Sequence, residues 1–222
     1  MNSTDKQAAL IAAIAELDEQ SALALVRQRI AAAEDPLLIL GDCQEGMRQV
    51  GERYERNQYY LAGLIMGGEI FRQVMELLQP VVESRISGRA SGRILLGTVQ
   101  GDIHNLGKNI VAMLLRCHEF TVYDLGVDVS PVEFAERARE IQPDIVGLSG
   151  LLTSSYEAMR ETVALLRADG NRAPIIIGGG QLSEQVCQYV EADYWNTDAV
   201  VGVDLCQRLV TEAARAEKDQ DR

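Results

Sequence analysis

Aromatic rings, histidines and basic clusters are all scarce in this chain. Aromatics make up 5% of its 222 residues, and there are two histidines and one tryptophan. A core that reaches 47% hydrophobic content with so few rings must be built mainly from Leu, Ile, Val and Ala. Lys and Arg number 21 against 33 Asp and Glu, giving a net charge of -12. A nucleic-acid partner calls for clustered basic side chains that release counterions from phosphates. No such run occurs, and the richest stretch, Arg85 to Arg93, is broken by Ser and Gly. No apolar stretch approaches the roughly 20 residues that span a bilayer, so no membrane partner is expected. The N-terminus, MNSTDKQAAL, lacks the basic segment and apolar run of a secretory signal. Cys43, Cys117, Cys187 and Cys206 form no CxxC pair, which reads as free thiols in a reducing cytoplasm.

What is present changes character near residue 90. Before it, apolar residues recur at helical spacing, and helices are expected over Ala8–Leu17, Ala22–Ala33, Pro36–Tyr54 and Leu61–Val82. Four helices with short connections suggest a small bundle over residues 1–85. The polar, glycine-containing stretch Glu83–Gly92 reads as a linker. From residue 92 to 222, short β-rich runs alternate with helical patterns. Strands are expected at Ile94–Val99, Thr121–Leu125, Ile145–Ser149, Ile175–Ile177 and Tyr194–Asn196. Helices are expected at Leu106–Cys117, Pro131–Ile141, Ser155–Ala168, Glu184–Val190 and Ala199–Ala216. This alternation implies an α/β domain, a five-stranded doubly wound parallel sheet of flavodoxin or Rossmann-like type. The simplest strand order is 2-1-3-4-5, with a ligand crevice between the loops after the first and third strands.

Those loops carry the polar and glycine-rich residues of this half. The first runs Gln100-Gly101-Asp102-Ile103-His104-Asn105-Leu106-Gly107; the third strand leads into Ser149-Gly150-Leu151-Leu152-Thr153; the fourth ends in Gly178-Gly179-Gly180. Common nucleotide and hydrolase signatures are missing: Gly101 to Gly107 lacks the central glycine of a dinucleotide loop. Neither a Walker loop nor a G-x-S-x-G elbow occurs. A receiver domain would need a phosphorylatable Asp where Ser149 stands. His118, at a helix end, reads as a surface residue. His104 is different, with Asp102 two positions before it. A carboxylate beside an imidazole fixes one tautomer and makes the other nitrogen a better metal ligand. One histidine cannot close a zinc site, but it suffices for a metal already held in a macrocycle. A loop histidine capping the next helix is the competing reading.

The run GDIHNLGKNIV, with VYDLGVDV, PDIVGLSGLLTSS and IIIGGG in order, resembles the cobalamin-binding fold of methionine synthase and of small corrinoid proteins in methyltransferase systems. Its D-x-H-x-x-G, S-x-L and G-G elements all occur. The helical half, with GERYERNQYYLAGLIMGGEIFRQVMELLQP, resembles the cap bundle that those proteins place over the upper corrin face. The resemblance implies a cobalamin cofactor (methylcobalamin and cob(I)alamin) whose cobalt takes His104 as lower axial ligand. Asp102 would bond the other imidazole nitrogen, and Ser155 would complete the relay. Gln100, Gly101, Ile103, Asn105 and Gly107 would form the surrounding cofactor loop, with Gly107 leaving room for the nucleotide tail. Ser149 and Leu151 would line the tail slot, Gly178 and Gly179 would admit its far end, and Thr153 and Ala199 match further contact positions. Tyr54 and Leu61 match residues that cover the upper face, with plain bundle core as their alternative; Tyr59 and Tyr60 are weaker candidates for the same surface.

The implied role is a corrinoid carrier. It would take a methyl group from a substrate:corrinoid methyltransferase and pass it to a corrinoid:tetrahydrofolate or thiol methyltransferase, with a reductive activation protein as third partner. A cobalamin-dependent regulator or light-sensing anti-repressor is the alternative from another class, and a detached radical-mutase domain is a third.

Overall fold

The computed structural model describes residues 3–85 and 91–220; residues 86–90, inside the stretch expected to be a linker, lie outside the described residues. The chain divides into two compact units, Met1–Arg85 and Ile86–Arg222.

The first unit contains α1 (Ser3–Ala15), α2 (Glu19–Ala31), α3 (Pro36–Glu55) and α4 (Leu61–Arg85). Local chemistry sets the helix starts. Asp18 accepts the Ser21 N–H at 3.0 Å and Asp35 accepts the Leu37 N–H at 3.1 Å. Pro36 occupies the first turn of α3, where a missing N–H leaves no bond unmade. Leu10, Ile14, Val26, Ile39, Val50, Phe71 and Val74 turn inward and are fully buried. A buried polar cluster ties three of the helices together. The Arg29 guanidinium donates to Asp42 at 2.6 Å and to Glu34 at 2.5 Å, while Gln7 donates to the other Asp42 oxygen at 2.7 Å.

The second unit runs β1 (Arg93–Thr98), α5 (Leu106–Cys117), β2 (Thr121–Asp124), α6 (Pro131–Ile141), β3 (Ile145–Ser149), α7 (Ser155–Ala168), β4 (Ile175–Gly178), α8 (Glu184–Val190), β5 (Tyr194–Asn196) and α9 (Ala199–Gln220). All four strand pairings are parallel, in the order β2-β1-β3-β4-β5. Helices α5 and α9 pack together, while α6, α7 and α8 pack in succession. Sheet strands covered on both faces read as continuous apolar runs, and β1 is buried from Ile94 onward. The core gathers Leu95, Phe134, Val146, Leu148, Met159 and Ile177 between sheet and helices. Thr98 and Ser149 pair at the carboxyl ends of β1 and β3, from which the chain departs to opposite sides of the sheet. The expected crevice lies at that divergence.

Candidate functional site

Two loops meet at the crevice, one after β1 and one after β3, and a single carboxylate joins them. Asp102 is fully buried, with 0% of its surface exposed. Its Oδ1 accepts the backbone N–H of His104 at 2.9 Å and faces His104 Nδ1 at 2.7 Å. Its Oδ2 accepts the Leu151 N–H at 2.7 Å, the Leu152 N–H at 3.2 Å and the Ser155 hydroxyl at 2.8 Å. Burial alone would push the Asp102 pKa up. The His104 and Leu151 N–H groups, the Ser155 hydroxyl and the His104 ring together outweigh it and hold the carboxyl well below the usual carboxylate range. Asp102 is therefore ionised and can only accept, so Nδ1 is the ring nitrogen that donates to it and Nε2 takes no part in that bond.

The burial of the pair is uneven. Asp102 is enclosed, whereas the His104 side chain is 48% exposed. The helix-capping reading of His104 fails, because Asn105 is the residue preceding α5 and the His104 ring is engaged with Asp102. The His104 backbone is also fixed from behind. The buried Thr98 hydroxyl at the end of β1 donates to the His104 carbonyl at 3.1 Å.

Beside this loop lies a slot of about 180 Å³ with a mostly apolar lining, reaching from the sheet edge to Val111 and Leu115 of α5 and Cys206 of α9. Gly107, Ser149, Gly178 and Gly179, expected at a cofactor tail, and Ala199, expected as a further cofactor contact, line it together with Asn196 and Asp198. A Cβ on Gly178 would come no nearer than 3.8 Å to another atom, so the space beside it is the slot itself. Gly179 serves the backbone instead. With φ at +154°, a Cβ there would lie 1.9 Å from the Gly150 carbonyl oxygen. Burial pushes the Cys206 thiol up to about 12, which makes it a neutral apolar wall and no nucleophile.

Some expected residues stand elsewhere. Leu151, expected to line the slot, is absent from its lining; its backbone N–H goes to Asp102 and its side chain is partly exposed, because the turn after β3 directs its amides inward. Thr153 is exposed in the turn before α7, and its carbonyl accepts the Tyr156 N–H. Gln100, Ile103 and Asn105 are exposed on the ligand loop. In the helical unit, Tyr54 and Leu61 are exposed and contribute little to the bundle core, as is Tyr60. Tyr59 is held to the end of α1, its hydroxyl donating to the Ala15 carbonyl at 2.9 Å. His118 follows the last turn of α5 and its Nδ1 lies 2.9 Å from Gln207 Nε2. Sequence reading missed Thr98 and Lys108. Lys108 is buried and donates to Asp124 and to Asn109. Its place directly after Gly107 was the one available signal.

Among the described residues no group of three or more His, Cys, Asp or Glu side chains is disposed to hold a metal ion. One imidazole oriented by a buried carboxylate beside an apolar slot suits a metal whose other positions a macrocycle fills. Residues 92–204 match the B12 binding domain family, and residues 7–79 match a second B12 binding domain family. The chain belongs to the B12-binding corrinoid proteins. It is 33% identical to trimethylamine corrinoid protein 1 of Methanosarcina acetivorans over 191 residues, which cover 84% of this chain and 88% of that protein. Among solved structures it is similar to a cobalamin-binding protein from Desulfitobacterium hafniense DCB-2, with 39% identity, a TM-score of 0.53 and coverage of 93% and 98% of the two chains. The Methanosarcina barkeri monomethylamine corrinoid protein shares the fold, with 24% identity, a TM-score of 0.80 and coverage of 90% and 96%. The cofactor of this B12-binding chain is a cobalamin-type corrinoid. No helix among the described residues is long and apolar enough to cross a membrane.

Proposed function

We propose that this chain is the methyl-carrying corrinoid subunit of a methyltransferase system, in which His104 would hold the cobalt. The observation that carries the reading is the Asp102–His104 contact, in which Nδ1 is pinned to a buried carboxylate while about half of the imidazole side chain is exposed. When bound, the corrin-held cobalt supplies a nucleophile that accepts a methyl group and gives it up again. The chain's own residues manage position and protons. Asp102, bonded to Ser155, holds His104 Nδ1 and would take up or return a proton at that nitrogen. Ser149, Gly107, Gly178 and Ala199 would receive the cofactor's nucleotide tail in the slot. Gly179 would let the backbone close behind it. The exposed Tyr54 and Leu61 are proposed to contribute the apolar cover of the upper corrin face.

Likeness to the trimethylamine corrinoid protein supports a small methylated substrate such as a methylamine. The partners in this reading are a substrate:corrinoid methyltransferase, an acceptor methyltransferase acting on tetrahydrofolate or a thiol, and a reductive activation protein. The setting is the cytoplasm.

The test uses protein labelled with 15N-histidine and loaded with cob(II)alamin. Its electron paramagnetic resonance spectrum is expected to show the doublet splitting of one axial 15N nucleus, absent in His104→Ala. An unchanged splitting in His104→Ala overturns the ligand assignment. Methylcobalamin-loaded protein should then lose its methyl group to a purified acceptor methyltransferase in the dark. Methyl loss only under light would overturn the carrier role in favour of a light sensor.

A further inference from the structure

The loop that carries His104 is gripped from the outside by one residue of the loop between β2 and α6. The Gly101 N–H donates to Asp128 Oδ1 at 2.7 Å. In return the Asp128 N–H donates to the Asp102 carbonyl at 3.0 Å. One residue further on, the Val129 N–H donates to the Thr98 carbonyl at 3.0 Å, and Val99 and Val129 form a parallel bridge. The ligand loop thus rests on a short parallel ladder whose outermost rung is Asp128. That rung is costly to keep. Asp128 has φ at +54°, a left-handed conformation that side chains with a Cβ disfavour and that short polar residues tolerate when they bond locally. It closes over Gly101, whose φ of +80° makes it the freest joint of the ligand loop.

We infer that Asp128 is a positioning residue for His104. By holding the amide before Asp102 and the carbonyl of Asp102 itself, it fixes the peptide from which both relay residues hang. Thr98 fixes the His104 carbonyl from the sheet side, so the loop is held at its two ends. The Asp102 side chain is already locked by five donors. What remains adjustable is the backbone that sets the ring's reach, and Asp128 is the side chain that constrains it. The inference rests on His104 being the cobalt ligand.

The experiment compares wild type, Asp128→Gly and Asp128→Asn at one pH. Glycine removes the carboxylate while easing the backbone; asparagine keeps an acceptor oxygen and tolerates the left-handed conformation. Two readouts are taken: the ratio of His104-ligated to unligated cob(II)alamin by electron paramagnetic resonance with 15N-histidine, and amide exchange at Gly101 in the cofactor-free protein. In Asp128→Gly the ligated ratio should fall about fivefold, as expected for one lost hydrogen bond, and Gly101 exchange should accelerate by a similar factor. Asp128→Asn should stay within about twofold of wild type, the spread of a retained neutral bond. A ligated ratio unchanged in Asp128→Gly overturns the inference and leaves His104 as ligand. A fall in Asp128→Asn as large as in the glycine variant overturns it too, because charge and not the bond would then be acting. Absence of axial histidine in the wild type removes the ligand reading and the inference with it.

Discussion

Replacing Asp102 by asparagine changes one oxygen for an amino group and tests the whole relay. The new side chain would present one acceptor and two N–H donors to five donors that now converge on two oxygens. Turned with its amino group toward Oδ2's place, it would face two backbone N–H groups that cannot change role. Turned the other way, it would face only the His104 N–H and a ring that can switch tautomer. The second orientation wins, leaving the His104 N–H without its acceptor and forcing Nδ1 to accept. The proton then moves to Nε2, and the lone pair that would meet the metal is lost. One orphaned backbone donor costs about 1–3 kcal/mol, and the surviving bonds weaken as the charge disappears. Relief from burying a charge offsets part of that, so a net loss of about 2–4 kcal/mol is expected. Trp195, the single tryptophan, lies on β5 and reports unfolding of the α/β unit in urea. Nitrogen-15 chemical shifts of His104 in the cofactor-free protein report the tautomer. The reasoning is refuted if Asp102→Asn unfolds within about 0.5 kcal/mol of wild type, the usual scatter of neutral surface changes, and keeps its proton on Nδ1. The pH dependence gives a second check. The folded pKa of Asp102 is depressed, so its contribution is complete above the unfolded value of about 4 and is lost as pH falls toward the folded value. Wild-type stability should therefore decline below about pH 4 more steeply than that of Asp102→Asn.

The two glycines at the end of β4 should separate cleanly. Gly178→Val has room beside the backbone and should fold normally, yet fill the slot and weaken cobalamin at least about tenfold while sparing tail-less cobinamide, as isothermal titration would show. Gly179→Ala meets the Gly150 carbonyl and should destabilise the unit by about 2 kcal/mol or more in urea whatever ligand is offered. The buried Lys108 is bonded to Asp124, whose carboxylate is about a quarter exposed. Asp124→Asn, which leaves a buried ammonium with neutral partners only, should cost more than Lys108→Met, by about 1 kcal/mol or more in the same unfolding assay.

Much of this architecture could be read from spacing alone, and the reasons are local. Several helices and strands of the second half, among them Leu106–Cys117, Pro131–Ile141 and Ile145–Ser149, begin and end where the pattern placed them. Ser130 and Pro131 announce α6 by a cap and a first-turn proline, and Ser183 does the same for α8 without the proline. In the helical half the first turns of α1 and α2 are polar, so apolar spacing located those helices late, at Ala8 and Ala22. At the site, Asp102 and His104 were legible because an i, i+2 pair in a loop can meet without help from the fold. Ser155 needed the family resemblance, since it lies 53 residues away. Thr98 and Asp128 had no signal at all. Their bonds run from one loop to another, through a strand-end hydroxyl and a left-handed aspartate that no local pattern marks.

The division of labour within the Asp102–His104 pair follows from where each atom sits. An imidazole that would bind a metal reversibly, as proposed for His104, needs a free outer nitrogen and a fixed inner one. Had both residues been buried, the ring would be locked and each release would have to disrupt the core. Had both been exposed, water would compete for Asp102 and the tautomer would not be held. The observed arrangement puts the charge inside, surrounded by five donors from two loops, and leaves about half of the imidazole outside. The carboxylate keeps its place through the loop after β3 and the start of α7, so an imidazole that held a metal would release it on the side that solvent already reaches.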